Sequence, residues 1–355
     1  MHKKSVHRTP WNSQARDASK LWLDKNENTD FFLKKFYLDF LKKIKYQDIC
    51  AYPDLTQTYK KISSFLRINR NQVYLTQGSD LAIKSIFEAF ISPGDKVLIT
   101  NPTYAMYSIY CELFKAKKIL INYEFSKDCP YLNIKKLINY IKIYKPRLIC
   151  LPNPDSPTGQ IIERENIVLI LNIAKKYKSI LLIDEAYYLF YKKSLINFIN
   201  KFNNLIITRS ASKAMAIAGL RVGMVISNPG LISKIFMYKP MYEISSLANF
   251  FIKEIIKPKN YKLIQNSVSR LLEGKKFFIN YLKKNRIPYF KSYGNFVHVN
   301  FGATRNNIIK ELNKFIYFRA EEKHESLKGY SRLSLTSKSN FISITKIINK
   351  FYLKI

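Results

Sequence analysis

Glycine is scarce in this 355-residue chain, with 10 in all, and Cys (4), His (4) and Trp (2) are scarcer still. No Gly/Ser-rich linker is visible. Cys50, Cys111, Cys129 and Cys150 form no C-x-x-C pair and no zinc spacing, which predicts reduced thiols in a cytosolic compartment. His2, His7, His298 and His324 are not paired at helical metal-ligand spacing, and none obviously joins a Ser or Cys nucleophile. His298 falls in an alternating strand pattern that favours a structural role. The chain has no G-x-G-x-x-G, no G-x-x-x-x-G-K-[ST] and no G-x-S-x-G, so the usual dinucleotide, P-loop and α/β-hydrolase signals are missing. The start, MHKKSVHRTPW, is basic but precedes no apolar signal core, and no run is long enough to span a bilayer. A cytoplasmic protein with no membrane partner is expected.

Acidic residues are also few. There are 25 against 60 Lys and Arg, a formal net charge of +35. Clustered cations would point to nucleic acid or an anionic membrane. Here they are spread evenly, and they travel with 25 Tyr, 24 Phe and many Ile and Asn. That bias fits an AT-rich coding background. Without a basic face or stripe, nucleic acid is not the expected partner. The 47% hydrophobic content is enough to bury a core, and the length allows one large domain or two ordinary ones.

Along the chain, residues 1 to about 30 read as a polar, irregular arm. Short apolar runs rich in β-branched residues then recur: VLIT (97–100), KILINY (118–123), RLICLP (147–152), SILLID (179–184), NLIIT (204–208) and VGMVIS (222–227). Between several of them lie helical stretches, SDLAIKSIFEAF (79–90), TYAMYSIYCELFKA (103–116) and RENIVLILNIAKKYK (164–178). Continuously apolar strands separated by helices predict an α/β fold with a mostly parallel sheet buried on both faces. Past about 230 a long helical region runs to about 285. FVHVNF (296–301), FIYFR (315–319) and SRLSLT (331–336) follow, as expected for a smaller α+β domain. The expected boundaries are 1–45 for the arm and part of a small domain, 46–235 for a large domain, and 236–355 for a linking helix and small C-terminal domain.

In open α/β sheets ligands collect at the carboxyl ends of the strands. SILLID ends in Asp184, with Tyr187 three residues on. RLICLP runs into NPDSPTG (153–159), which brings Ser156 to the same edge, and NLIIT runs into RSASK, which brings Lys213. GLRVG (219–223) adds Arg221. TQGSD (76–80) opens a helix at which Gly78 allows a close approach and Ser79 is a candidate N-cap, with free N–H groups suited to phosphate. A Lys for a Schiff base, a carboxylate against a pyridine nitrogen and an anion cradle fit pyridoxal phosphate. Each residue also has a bland reading: Asp184 as a turn residue, Arg221 as a surface ion-pair partner, Tyr187 as core, Tyr104 as a helix-start aromatic.

AYPD (51–54), TQGSD (76–80), NPTYAMYS (101–108), NPDSPTG (153–159), IDEAY (183–187), SASKAMAIAGLRVG (210–223) and SRLSLT (331–336), in that order after LDKNEN (23–28), resemble the fold-type I pyridoxal-phosphate aminotransferases. The histidinol-phosphate aminotransferase branch is the nearest, and the likeness covers nearly the whole chain. It implies a cytoplasmic homodimer with shared active sites, whose large domain binds pyridoxal 5′-phosphate. Lys213 would carry the cofactor and move the proton, Asp184 would face the pyridine nitrogen, Tyr187 the phenolic oxygen, and Tyr104 would stack on the ring. Gly78, Ser79, Asp80, Ser210, Ser212 and Arg221 would surround the phosphate, joined by Tyr52 from the partner subunit. Arg332 and Arg319 would bind the anionic group of the substrate, with Asn26 beside it, and 2-oxoglutarate/glutamate would be the second substrate pair. Three departures stand out. Ser156 replaces the usual Asn before PTG, no Pro-Tyr precedes LDKNEN, and the last strand lacks its following Gly. A threonine-phosphate-type decarboxylase, an aminotransferase of a surface-polysaccharide or phosphonate pathway, and a basic nucleic-acid-binding protein are the alternatives.

Overall fold

A computed structural model describes residues 15–126, 129–321 and 324–352. The basic start MHKKSVHRTPW lies outside them. Strand β1 (Leu21–Leu23) precedes β2 (Val73–Thr76), β3 (Lys96–Asn101), β4 (Lys117–Asn122), β5 (Glu124–Phe125) and β6 (Pro130–Tyr131). β7 (Leu148–Pro152), β8 (Ile180–Asp184), β9 (Leu205–Ser210) and β10 (Gly223–Ser227) follow. β11 (Tyr289–Phe290), β12 (Phe296–Val299), β13 (Ile316–Phe318) and β14 (Ser331–Ser334) close the series.

Seven strands form one sheet in the order β2-β10-β9-β8-β7-β3-β4. β10 runs antiparallel to both neighbours and the others share one direction. The six apolar runs expected from sequence each became a strand of this sheet. β2 was not expected as a strand, because VYLT is only four residues long and fully buried, and so shows no alternation.

The apolar runs are continuous because alternate residues feed two different cores. Ile180 and Leu182 join Cys150, Ile206, Val225, Ile86 and Tyr107 on one face. Leu181 and Ile183 join Ile149, Leu151, Ile207 and Ile226 on the other. By the same parity Asp184 continues the Leu182 face, and Glu185 the opposite one. Glu185 there accepts a 2.9 Å ion pair from Arg209, with both side chains buried.

The arm is not irregular as expected. β1 pairs in parallel with β13 across Leu21–Ile316 to Leu23–Phe318, because Leu23 is buried and its strand gains a ladder partner. Arg16 then clasps Glu27 through both guanidinium nitrogens, at 2.6 and 3.0 Å, and reaches Asp24 at 3.1 Å. β12 lies between β11 and β14 in a separate antiparallel sheet. Arg319 and Arg332 face each other across an isolated bridge beside it.

The helix Pro258–Lys284 spans 27 residues, starts with Pro at its first turn, and buries Ile264, Val268, Leu271, Phe278 and Leu282 along one stripe. Phe278 stacks on Phe341 of the helix Lys338–Tyr352 at 4.5 Å between ring centroids. Gly274 sits where a Cβ would lie 2.2 Å from the Thr336 carbonyl oxygen. Gly274→Ala would gain up to about 1 kcal/mol of helix propensity. The clash is with backbone that cannot swing aside, and overpacking of that kind costs about 1–3 kcal/mol. Gly274→Ala is therefore expected to be net destabilising in urea unfolding, and a stabilised variant would show that the two segments separate freely.

Candidate active site

Because six of the seven strands share a direction, the carboxyl ends of β2, β3, β7, β8 and β9 open on one edge. Antiparallel β10 begins there. Segments leaving those ends carry Gly78 and Ser79, Tyr104, Ser156, Asp184 and Tyr187, and Ser212 and Lys213. Arg221 lies two residues before β10. The topology alone thus brings these six segments to one place.

Asp184 is buried at the end of β8. Its Oδ1 accepts from Thr208 Oγ1 at 2.9 Å and from the Ala186 N–H at 3.1 Å, and its Oδ2 accepts from Tyr107 Oη at 3.3 Å. All three donors are neutral. Burial pushes the carboxyl up to about 6, against the pull of these hydrogen bonds. A carboxylate held in apolar surroundings without a cationic donor suits a ligand that brings a cationic nitrogen. Sequence reasoning missed Tyr107 and Thr208. The signals were available: Tyr107 sits one helical turn after Tyr104, and Thr208 is opposite Asp184 in the β8–β9 register.

Lys213 leaves β9 through an SAS turn, and its Nζ donates to the Lys25 carbonyl at 2.8 Å. Burial is the main cause of its lowered pKa, about 8, assisted by Arg332 and Arg221 and opposed by Glu27 and Asp184. At neutral pH about a tenth of it is a free amine, against roughly one part in a few thousand for an unperturbed lysine. That is the state a nucleophilic lysine requires.

Tyr187 is buried and its Oη accepts from Asn26 Nδ2 at 2.9 Å. Burial raises its pKa, while Arg332 and hydrogen bonds to Ser156 and Asn26 oppose the rise. Ser156 therefore acts on Tyr187. Asn26, buried with a φ of 56°, is fixed from three further sides: its N–H donates to Ser334 Oγ (2.9 Å), its carbonyl accepts from Asn295 Nδ2 (2.8 Å), and its Oδ1 faces Ser334 Oγ (3.3 Å). Ser156 itself follows Asp155, whose buried carboxyl accepts from the Thr158 N–H and hydroxyl and holds the NPDSPTG turn closed.

An anion cradle stands opposite. The helix Gly78–Phe90 begins one residue earlier than expected, with Gln77 as its N-cap and no side-chain cap. Ser79 is thus inside the first turn rather than capping it, which leaves the first N–H groups for a ligand. Arg221 Nη1 donates to Ser212 Oγ at 3.3 Å, and Ser210 Oγ accepts from the Ser212 N–H at 3.1 Å. The approach depends on two glycines. A Cβ on Gly78 (φ 78°) would lie 2.4 Å from Arg221 Nη2, and one on Gly223 would lie 2.4 Å from the Ser79 nitrogen. Asp80 is held by Tyr110 Oη at 2.8 Å and, with Arg221, lines a neighbouring cavity of about 510 Å³. Tyr104 caps the helix Ala105–Leu113 and feels Asp80, Asp184, Arg221 and Tyr187 electrostatically, which places it in the same site.

Arg332 is buried, with its guanidinium 5.3 Å from the Phe296 ring, and acts electrostatically on both Lys213 and Tyr187. Arg319 is exposed, and pairs with Arg332 across a backbone bridge. Tyr52 is 78% exposed and stacks on Tyr242 at 4.1 Å, outside the cluster. A buried carboxylate, an activated lysine and an uncapped helix start together fit pyridoxal phosphate. Asp184 would hold its ring nitrogen, Lys213 its aldehyde carbon, and the Gly78–Ser79 turn with Ser210, Ser212 and Arg221 its phosphate.

The raised Asp184 pKa has a signed consequence for the cofactor-free protein. A carboxyl that titrates higher folded than unfolded stabilises fully below about pH 4 and loses that contribution as pH rises through about 6. Asp184→Asn removes the titration. Its stability relative to the parent should climb across that window, by at most about 1.4 kcal/mol per pH unit, and level off above it. Asp155, pushed up to about 7 by burial, is common to both proteins and cancels. Urea unfolding from pH 4 to 8 gives the comparison, and parallel stability curves would contradict it.

A histidinol-phosphate aminotransferase of Caldanaerobacter subterraneus subsp. tengcongensis is 32% identical over 303 residues, 84% of this chain and 83% of its own. Two solved structures share the fold. One is histidinol-phosphate aminotransferase from Sinorhizobium meliloti in complex with pyridoxal-5′-phosphate, with a TM-score of 0.80 and 17% identity over 94% of this chain and 91% of that one. The other is L-threonine-O-3-phosphate decarboxylase from Porphyromonas gingivalis, with a TM-score of 0.77 and 19% identity over 94% of this chain and all of that one. A scaffold common to a transferase and a decarboxylase leaves the reaction to be decided elsewhere. The sequence model of aminotransferase class I and II matches residues 19–340, and the chain belongs to that family of pyridoxal-phosphate-dependent aminotransferases.

Proposed function

We propose that this aminotransferase exchanges an amino group between histidinol phosphate and 2-oxoglutarate, returning glutamate. The observation that carries the reading is the pairing of Lys213, lowered to about 8, with the buried Asp184 carboxylate at one sheet edge, beside a cradle formed by Arg221, Ser212 and the Gly78–Phe90 helix start. The substrate follows the relative at 32% identity.

Pyridoxal phosphate, when bound, supplies the electron sink that allows the Cα–H bond of the amine to break. The chain supplies the rest. Lys213 Nζ carries the proton, and its free-amine fraction makes it a base near neutral pH. Asp184 keeps a ring nitrogen cationic. Tyr187 accepts from Asn26 and Ser156, so its own hydroxyl hydrogen is free to point at the phenolic oxygen. Tyr104 covers one ring face. Arg332 receives the anionic group of the substrate with a planar fork, and Arg319 extends that cation outward. Asn26 sits above Lys213 on the segment whose Lys25 carbonyl already meets Nζ. In this reading residues 46–235 bind the cofactor, with 1–45 and 236–355 forming the smaller domain. The enzyme is a cytoplasmic homodimer in which the exposed Tyr52 reaches the partner's phosphate cradle.

Purified protein should be yellow, and borohydride reduction should fix the cofactor's mass on the Lys213 peptide. Colourless protein that takes up no added cofactor would sink the reading. Histidinol phosphate should bleach the visible band in a single half-reaction, and 2-oxoglutarate should restore it. Carbon dioxide release from a phosphorylated amino acid without 2-oxoglutarate would assign a decarboxylase instead. Asp184→Ala should keep the fold and lose turnover by about 10³-fold or more, the scale of removing one preorganised electrostatic partner.

A further inference from the structure

One half-buried cation has no part in the chemistry above. Lys275 lies on the inner side of the helix Pro258–Lys284, next to Gly274, and its Nζ donates to the carbonyls of Ser292 (2.5 Å) and Gly294 (3.0 Å). Both hydrogen-bonded partners are neutral oxygens. Desolvation lowers its pKa to about 8. Holding a lysine there is unfavourable unless something depends on it.

What depends on it is the loop 291–295. Its Tyr293 N–H donates to the Gly159 carbonyl at 2.7 Å, and Gln160 Nε2 donates to the Lys291 carbonyl at 2.6 Å. Ser292 presses so closely that a Cβ on Gly159 would lie 2.3 Å from its Oγ. The loop is thus seated on the turn that presents Ser156. At its end, Asn295 accepts from the Leu335 N–H at 2.8 Å, just past the strand that bears Arg332, and its Nδ2 donates to the Asn26 carbonyl at 2.8 Å. Asn26 in turn donates to Tyr187. Every link from the ammonium to the reacting face is a hydrogen bond of 3.0 Å or less.

We propose that Lys275 is a positioning residue for the substrate pocket: its ammonium pins the 291–295 loop, and Asn295 carries that constraint to Asn26 and Tyr187. A loop with two inward carbonyls would otherwise turn them to water and relax. The groups assigned to the cofactor's aldehyde carbon, ring nitrogen and phosphate, Lys213, Asp184 and Arg221, stand on other segments, so Lys275 acts mainly on substrate binding and reaches the cofactor only through Tyr187. The binding half of the proposal rests on the aminotransferase reading of Asn26, and the structural half does not.

The test uses the holoenzyme and its Lys275→Met and Lys275→Arg variants. Amide hydrogen exchange is followed in peptides covering 24–28, 291–295 and, as control, 180–186. L-Glutamate titrations of the visible band give the half-saturating concentration and the limiting rate. Lys275→Met should speed exchange about tenfold in both 24–28 and 291–295 and raise half-saturating glutamate about tenfold, the scale of one lost charge-assisted hydrogen bond. The control peptide and the cofactor content should stay put, and Lys275→Arg should recover most of the loss. Should Lys275→Met fail to fold, Asn295→Ala cuts the chain one link later, and it should loosen 24–28 while sparing 291–295. Exchange confined to 291–295, or an unmoved glutamate titration with loosened loops, would overturn the proposal. Parent enzyme indifferent to glutamate would instead fault the amino-donor assignment, and the exchange pattern would still decide the role of Lys275.

Discussion

The site depends on a carboxylate that folding buries with no cationic hydrogen-bond donor to meet it. Asp184 ends a strand whose five residues are all buried, and the three donors around it are neutral. Burial alone would favour the protonated acid. The hydrogen bonds from Thr208, Tyr107 and Ala186 restrain the shift to about 6, so at neutral pH most molecules hold the anion despite the cost of desolvating it. Lys213 presents the mirror case, an ammonium drawn down to about 8 by the same removal of water. The isolated chain stores two opposed electrostatic penalties a few residues from one sheet edge. A ligand with a cationic nitrogen and a carbonyl carbon relieves both at once, and by linkage its binding stabilises the fold.

Strand parity explains how such a site stays compatible with a well-packed sheet. Even-numbered positions of β8 face the core that contains Tyr107 and Cys150, and odd ones face the core that continues into the C-terminal helices. Asp184 and Glu185 therefore diverge. Glu185 takes a full partner in Arg209, with Ser194 and the Leu195 N–H completing its shell, and so serves structure. Asp184 keeps to the opposite face, where its hydrogen-bond donors Thr208, Ala186 and Tyr107 are neutral. One residue of offset separates a saturated ion pair from a reactive carboxylate. The antiparallel turn of β10 adds the remaining piece, since it alone starts at the edge where the other strands stop, and so delivers Arg221 to the cradle.

The residues that touch the reacting groups were legible in the sequence because each lies in a short motif at a strand end. NPDSPTG, IDEAY and SASKAMAIAGLRVG name their positions without a structure. The supports were not legible in the same way. Thr208 matters because of its register with Asp184, Asn295 because a loop from a separate sheet meets Asn26, and Lys275 because a helix more than a hundred residues from Ser156 backs that loop. Register and long-range docking leave no local pattern in the chain. The arm was misread for a related reason: LWL is too short to announce a strand, and only pairing with Ile316–Phe318 makes it one. Ser79 failed as a cap because Gly78, at a positive φ, can open the helix a residue sooner.

The excess of lysine and arginine can be weighed against these local effects. A net charge of +35 would depress every lysine if it acted uniformly. Exposed charges farther than about 8–10 Å are largely screened at physiological salt, so the distant surplus has little hold on the site. The causes that lower Lys213 are ordered accordingly, with burial first and only two cations, Arg332 and Arg221, among the leading contributors. Lys275 makes the point more sharply, because desolvation alone brings it to about 8. Placement below the surface, and not the number of basic residues, therefore sets which lysines of this chain can act as amines near neutral pH.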